Sequence, residues 1–223
     1  MIFWIGKLLA PFPQLSFLRL AEYLSARSIG AALTAVLLTL WVMPRLIWWL
    51  QRKAYVDQLR ETGIPSAFDK AGTPVMGGVV LVGVVAFSSL LWCNLGSGYA
   101  LLVLAGMVWF GAIGFVDDRA KMRARSGDKG MSEARKLMLQ GAFAALLVAL
   151  LASPWNPLPD AEAARLHVPF LKAAVLDNAW FYFPFVILFV LLVGNSVNIT
   201  DGMDGLAIVP SVFAIAVLGV FGY

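Results

Sequence analysis

The chain has 223 residues, of which 61% are hydrophobic and 13% are charged. Soluble domains are about 45–50% apolar and about 25% charged, so this composition excludes an ordinary water-soluble enzyme and indicates a membrane protein. The net charge of +4 does not indicate nucleic-acid binding, because the basic residues lie in short segments between long apolar runs. Cys93 is the only cysteine, which excludes a disulfide framework and a cysteine-based metal site.

The apolar segments predict the fold class. Residues 1–27 are apolar but interrupted by prolines, and we expect them to lie at the membrane interface rather than form a cleaved signal peptide. A spanning helix needs about 20 mostly apolar residues. We therefore predict an all-α fold, a polytopic transmembrane helical bundle that forms a single domain, with spans near 29–50, 75–93, 99–116, 137–152, 179–193 and 206–223.

The connections between these spans alternate in charge. Those after the first and third spans carry most of the lysines and arginines, whereas residues 94–98 carry no charge. The positive-inside rule places the first, third and fifth connections in the cytoplasm and the N-terminus outside. His167, the only histidine, then falls on the outer side. Three polar segments are thereby predicted to face one compartment.

The first polar segment begins at Lys70 and ends at Gly77 and Gly78, where the second span starts. Glycines and a proline beside a lysine allow the backbone to approach an anionic ligand while the ammonium group supplies positive charge. The alternative is an ordinary turn followed by a Gly–Gly packing contact between helices.

The second polar segment contains Asp117 and Asp118, which follow the third span and precede a strongly basic stretch. Carboxylates at the edge of the hydrocarbon are costly to desolvate, which makes both acids functional candidates. Neighbouring residues on a helix point about 100° apart, so the two acids suit separate roles better than one shared proton. The alternative is that they only balance Arg119, Lys121 and Arg123 at the surface.

The third polar segment contains Asn195, Asn198, Asp201 and Asp204, which recur every three residues and would share one face of a helix. The glycines that follow both aspartates favour a partly unwound end that lines a polar cavity. Oxygen ligands of this kind suit Mg²⁺ or Mn²⁺ rather than zinc. The alternative is a polar hairpin between two spans.

Together these segments predict metal-assisted phosphoryl transfer. Carboxylates alone would repel a phosphate, so we expect a divalent cation between the two, with lysines neutralising the remaining charge. The expected metal ligands and catalytic acids are Asp117, Asp118, Asp201 and Asp204, and the expected lysine contacts are Lys70, Lys121 and Lys136.

The same segments resemble the signature motifs of the polyprenyl-phosphate N-acetylhexosamine-1-phosphate transferases, and most closely those of the phospho-N-acetylmuramoyl-pentapeptide branch of that family. The motifs occur in the family's order, at residues 68–78, 114–118 and 195–206, and residues 129–136 resemble a fourth motif. The resemblance implies transfer of phospho-MurNAc-pentapeptide from its UDP carrier, UDP-MurNAc-pentapeptide, to undecaprenyl phosphate, with release of UMP and a requirement for Mg²⁺. The implied setting is peptidoglycan synthesis at the bacterial inner membrane.

The resemblance also implies residue roles and partners. Asp117 and Asp118 look like the acidic pair, one of which deprotonates or positions the lipid phosphate, and Asn198, Asp201 and Asp204 look like the cluster that organises nucleotide and metal. The implied partners are undecaprenyl phosphate, UDP-MurNAc-pentapeptide and membrane lipid, with no nucleic acid and with a homodimer as an option. The implied substrate-binding residues are Lys70, Thr73, Lys121, Lys136, Asn195 and Asn198.

Full members of this family have further spans and a later histidine-rich loop, so the chain is expected to be truncated, which leaves the activity of these residues alone open. Three other functions stay open: a sister transferase that uses UDP-GlcNAc, an ion-coupled transporter, and an inactive membrane fragment. The transporter is disfavoured because the acids gather at one face rather than at the bilayer midplane.

Overall fold

The helices follow the apolar segments of the sequence. The computed structural model describes residues 1–9, 20–52, 76–124, 130–156, 165–166, 176–200 and 206–221. Within them, a two-residue antiparallel pair, β1 (Arg165–Leu166) and β2 (Leu176–Asp177), lies in the connection between the fifth and sixth helices. The seven helices of this part of the chain are α1 (Ile2–Leu9), α2 (Leu24–Arg52), α3 (Gly77–Trp92), α4 (Gly98–Ala124), α5 (Glu133–Leu151), α6 (Ala179–Thr200) and α7 (Ile208–Phe221).

The predicted all-α membrane fold is confirmed. Helices α2, α4, α5 and α6 are long and apolar enough to cross a membrane, and α3 and α7 are shorter apolar helices. Two compact units, Met1–Glu133 and Ala134–Tyr223, each have their own internal contacts. The single-domain assignment stays a prediction.

Several helices continue beyond the apolar segments that predict them. Helix α4 runs to Ala124 rather than ending near residue 116, and α6 runs to Thr200 rather than ending near residue 193. Hydropathy marks where the hydrocarbon ends, whereas the backbone hydrogen bonds of a helix are made within the helix and continue into the polar interface. The predicted acid pair therefore lies on a helix and not in the loop that follows it.

In the first unit, α2 and α3 pack through small residues. A Cβ atom at Gly30 would lie 2.5 Å from the Trp92 ring, so the ring lies directly on the α2 backbone. The Trp92 indole nitrogen donates to the Thr34 hydroxyl at 3.0 Å, and the buried Ser88 hydroxyl donates to the Ala31 carbonyl at 2.7 Å. Small residues permit this close approach between spanning helices, and side-chain hydrogen bonds fix their register.

Helix α4 packs on α3 through Gly111, where an added Cβ atom would lie 3.0 Å from Val82 Cγ1. The two helices are consecutive and joined by the short turn at residues 93–97, so they run antiparallel. Met76 lies six residues before Val82, and Asp117 lies six residues after Gly111. Because the two helices are antiparallel, Met76 at the start of α3 is level with Asp117 on α4. The start of α3 and the acid pair therefore lie at the same end of this unit.

Candidate active site

Asp117 is a largely covered carboxylate near the end of α4. Its side chain is 11% exposed, and the Lys121 ammonium lies 2.8 Å from Asp117 Oδ2, one helical turn further along. An acid four residues before a lysine is the favourable order for such a pair on a helix. The alternative of simple charge balance therefore describes part of this site correctly, since Lys121 compensates the covered charge.

The second oxygen of Asp117 holds the turn that precedes α5. The Met131 backbone N–H donates to Asp117 Oδ1 at 2.7 Å, a short hydrogen bond to a charged acceptor. A Cβ atom at Gly130 would lie 2.5 Å from Asp117 Oδ1 and 3.0 Å from Lys121 Cε. Only glycine leaves space for the carboxylate at this point, so Gly130, Met131 and Asp117 form one packed contact between the turn and the helix.

Asp118 has different surroundings. Its side chain is 35% exposed, and the Lys121 ammonium lies 4.0 Å from Asp118 Oδ1, at the limit of an ion pair. Asp117 uses both oxygens within the protein, whereas Asp118 presents more of its carboxylate to the surroundings. The assignment of separate roles to the two acids stays a prediction, and this difference in exposure favours it.

The start of α3 carries a strained backbone at the end of the first polar segment. Met76 has φ 77° and ψ 18°, a left-handed conformation that is uncommon for a residue with a side chain. Such conformations persist where the surrounding structure enforces them, and they cluster at functional sites. Met76 lies level with Asp117, so the described end of the first polar segment, residues 76–78, lies at the same end of this unit as the acid pair.

In the second unit, an amide pair joins α5 and α6. Asn195 Nδ2 donates to Gln140 Oε1 at 2.8 Å and to the Leu191 carbonyl at 2.7 Å, and Gln140 is only 6% exposed. The predicted substrate residue Asn195 therefore also has a packing role. Lys136 is half-buried and lies one turn before Gln140 on the same face of α5.

Asn198 lies one turn beyond Asn195 and is exposed. With Gly194 on the same helix, it lines a groove of about 480 Å³ between the last turns of α6 and the first turns of α7. Ala207 and Ser211 line the other wall. Apolar walls with a few polar groups are typical of small-molecule sites.

The remaining predicted residues, Lys70, Thr73, Asp201 and Asp204, lie outside the described part of the chain, and their roles stay predictions. Among the described residues, no three Asp, Glu, His or Cys side chains converge as a metal cluster. Proteins usually bind Mg²⁺ through one or two carboxylates together with substrate phosphates. Asp118 supplies a hard oxygen ligand of that kind, whereas the Asp117 oxygens already contact Lys121 and Met131, so the described residues fit a Mg²⁺ ion that is held through Asp118 and shared with a phosphorylated substrate.

Sequence reasoning missed two features of these sites. The steric role of Gly130 depends on a carboxylate that is distant in sequence, and its signals in the sequence are a neighbouring lysine and the resemblance of residues 129–136 to a family motif. Gln140 has a weak signal in the sequence, as the one amide within the apolar run 137–152. An uncharged polar residue at such a position often makes a hydrogen bond between helices.

The family comparison covers the part of the chain that carries these sites. Residues 100–223 match the family model described as glycosyl transferase family 4, which is more than half of the chain. The match begins in the first turn of α4 and includes the acid pair, the Gly130 turn, and helices α5, α6 and α7. Members of this family transfer a phospho-sugar to polyprenyl phosphate. The chain therefore belongs to glycosyl transferase family 4, the polyprenyl-phosphate hexosamine-1-phosphate transferases.

Proposed function

We propose that this transferase moves phospho-MurNAc-pentapeptide from UDP-MurNAc-pentapeptide to undecaprenyl phosphate, giving lipid I and UMP. The observation that supports a reaction at this site is the unequal acid pair of α4, with Asp117 committed to Lys121 and Met131 and Asp118 more open. The muramoyl donor is favoured over UDP-GlcNAc by the resemblance of residues 72–78 and 198–201 to the muramoyl branch.

Asp118 is the residue that we assign to the acceptor. Its carboxylate accepts the proton of the undecaprenyl phosphate monoester or positions that phosphate for attack. An oxygen of that phosphate forms a bond to the β-phosphorus of the donor. The bond between this phosphorus and the oxygen shared with the α-phosphate breaks, and that oxygen leaves on UMP. Positioning and charge stabilisation supply most of the catalysis in such a transfer.

Asp117 has a positioning role in this proposal. It keeps the Lys121 ammonium beside the acid pair and fixes the Gly130 turn against α4. Lys121 then neutralises charge on the diphosphate that approaches Asp118. Because the Asp117 carboxylate is mostly buried and makes a contact through each oxygen, it keeps Lys121 and the turn at Gly130 in fixed positions.

Mg²⁺ is the proposed cofactor. The residues that would hold it are Asp118 on α4 together with Asp201 and Asp204 from the third polar segment, whereas Asp117, also an expected ligand from the sequence, uses its two oxygens for Lys121 and Met131. When bound, the ion neutralises the diphosphate and the leaving group. Asn198 and Lys136 are proposed substrate contacts in the second unit, with Asn198 at the wall of the α6–α7 groove.

The proposed setting is the cytoplasmic face of the bacterial inner membrane. It rests on the distribution of lysine and arginine, which assigns the basic connections to that side. The lipid acceptor then reaches the site from the inner leaflet, and the nucleotide donor reaches it from the cytoplasm.

An assay with purified complete protein tests this proposal. Undecaprenyl phosphate is supplied with either UDP-MurNAc-pentapeptide or UDP-GlcNAc, and lipid product and UMP are measured by mass spectrometry. We expect lipid product from the muramoyl donor alone, loss of product in EDTA and its return with excess Mg²⁺. Product from UDP-GlcNAc alone would assign the sister reaction, and undiminished turnover in EDTA would reject the role of the metal.

A further inference from the structure

A second groove lies at the opposite end of the first unit from the acid pair. It has a volume of about 400 Å³ and is enclosed by the start of α2, the end of α3 and the start of α4. Its walls are mostly apolar, with hydroxyl, amide and guanidinium groups between them. The residues that line it include Arg27, Ser28, Trp92, Cys93, Asn94 and Ser97, and we call this feature the Arg27 groove.

Arg27 supplies the positive charge of this groove. Its guanidinium carbon lies 4.8 Å from the centre of the Phe3 ring, and its Nε atom is buried without a hydrogen-bond partner. Among the described residues, no carboxylate forms an ion pair with Arg27. A covered donor without a partner is costly, and a cation beside apolar walls has a strong preference for an anion. The charge of the groove therefore points to an anionic ligand.

The position of the groove separates it from the proposed reaction site. Ala100 lines the groove and Asp117 lies on the same helix, about 25 Å away at 1.5 Å rise per residue. Trp92 lies at the groove and the exposed Tyr99 beside it, and aromatic residues of this kind are enriched at membrane–water interfaces. Because α4 is long enough to cross the hydrocarbon, we expect the Arg27 groove at the level of the lipid headgroups on the other side of the bilayer from Asp117.

We propose that the Arg27 groove binds an anionic glycerophospholipid. The guanidinium of Arg27 pairs with the phosphate, Ser97 offers a hydroxyl group to the headgroup, and the apolar walls contact the first part of an acyl chain. Basic pockets between spanning helices bind anionic lipid headgroups in this manner. A soluble anion would gain nothing from the apolar walls, which is why we assign a lipid. This inference does not depend on which phospho-sugar the protein transfers.

Cys93 provides a direct probe, because it lines the groove and is the only cysteine of the chain. The full chain is placed in nanodiscs of phosphatidylcholine alone or of a mixture with phosphatidylglycerol, and alkylation of Cys93 by a neutral maleimide is followed by mass spectrometry. One basic residue contributes about 1 kcal/mol to binding of an anionic lipid, so we expect alkylation to be about fivefold slower with phosphatidylglycerol.

Two variants and one soluble anion complete the test. Arg27→Gln should react at the same rate in both membranes, whereas Arg27→Lys should keep most of the difference. Arg45→Gln is the matched control on the same helix, away from the groove, and should behave like the unchanged protein. Inorganic phosphate added to phosphatidylcholine nanodiscs should have no effect.

The proposal is overturned by any of three results. These are equal rates for the unchanged protein in both membranes, slowing that persists in Arg27→Gln, or an equal effect of inorganic phosphate. If Arg27→Gln does not insert, the unchanged protein still decides the question, because equal alkylation rates of Cys93 in the two membranes would overturn the proposal.

Discussion

Asp117 at the end of α4, which we call the acid end, and Asn195 on α6 are polar side chains on membrane helices that are stabilised by different kinds of contact. Asp117 is charged, and it binds a lysine on its own helix and a backbone N–H in the turn that follows. Asn195 is neutral, and it binds Gln140 on a neighbouring helix. The first contact fixes the turn at Gly130 and Met131 against α4, whereas the second fixes two helices against each other.

The energetic consequences of losing the two contacts differ. A hydrogen bond to a charged group contributes about 1.5–3 kcal/mol, and an unpaired covered carboxylate adds a desolvation cost. Hydrogen bonds between membrane helices average about 0.6 kcal/mol, because the unfolded chain in the membrane also finds partners. Perturbing the acid end should therefore mainly lower turnover, and perturbing the amide pair should cause a small loss of stability.

Of the changes at the acid end and at the amide pair, the larger functional effect is expected for Gly130→Ala, which should lower turnover. The added Cβ atom would lie 2.5 Å from Asp117 Oδ1, so either the turn or the carboxylate must move and the Met131 hydrogen bond is lost. Loss of a charged hydrogen bond predicts a fall in turnover of about tenfold to a hundredfold. UMP release by variants purified in equal amounts measures this effect.

Gly83→Ala is the matched control for that variant. Gly83 lies in the middle of α3, and a Cβ atom there would meet no atom within 4 Å. Replacing a helical glycine by alanine stabilises a helix by up to about 1 kcal/mol, so this variant should retain full turnover. Equal activity of Gly130→Ala and Gly83→Ala would show that the contact between the turn and Asp117 does not matter for the reaction.

The smaller effect is expected at the amide pair. Gln140→Leu leaves the Asn195 amide without its partner across the helices, and the free energy of unfolding should fall by about 0.6 kcal/mol with turnover little changed. Thermal unfolding in detergent and UMP release measure the two quantities. A large loss of turnover at unchanged stability would instead place the amide pair within the active site, and the distinction drawn between the two regions would be wrong.

The fold could be predicted from the sequence because spanning helices must satisfy all their backbone groups internally, which makes apolar length a strong signal. The helix ends could not be predicted from hydropathy. Helix α4 continues through Asp117 and Asp118 to Ala124 because its backbone bonds and the Asp117–Lys121 pair do not require an apolar environment.

The candidate site could be predicted in part. Adjacent acids at the end of a span indicate function by their desolvation cost alone, which is why Asp117 and Asp118 are visible in the sequence. The unequal exposure of the two acids depends on Gly130 and Met131, whose approach is a tertiary contact with no local pattern. The partner of Asn195 could not be predicted for the same reason, since Gln140 lies on another helix.

The measurement that tests the account most directly is turnover by the complete protein with Asp118→Asn. This change removes the charge of the more open carboxylate while nearly preserving its shape, and Asp117 keeps its contacts with Lys121 and Met131. UMP release should fall by about 10²–10⁴-fold, the range for loss of a general base, while membrane insertion and thermal unfolding stay as in the unchanged protein. Unchanged UMP release by a correctly inserted Asp118→Asn variant would contradict the assignment of this acid to the phospho-sugar transfer.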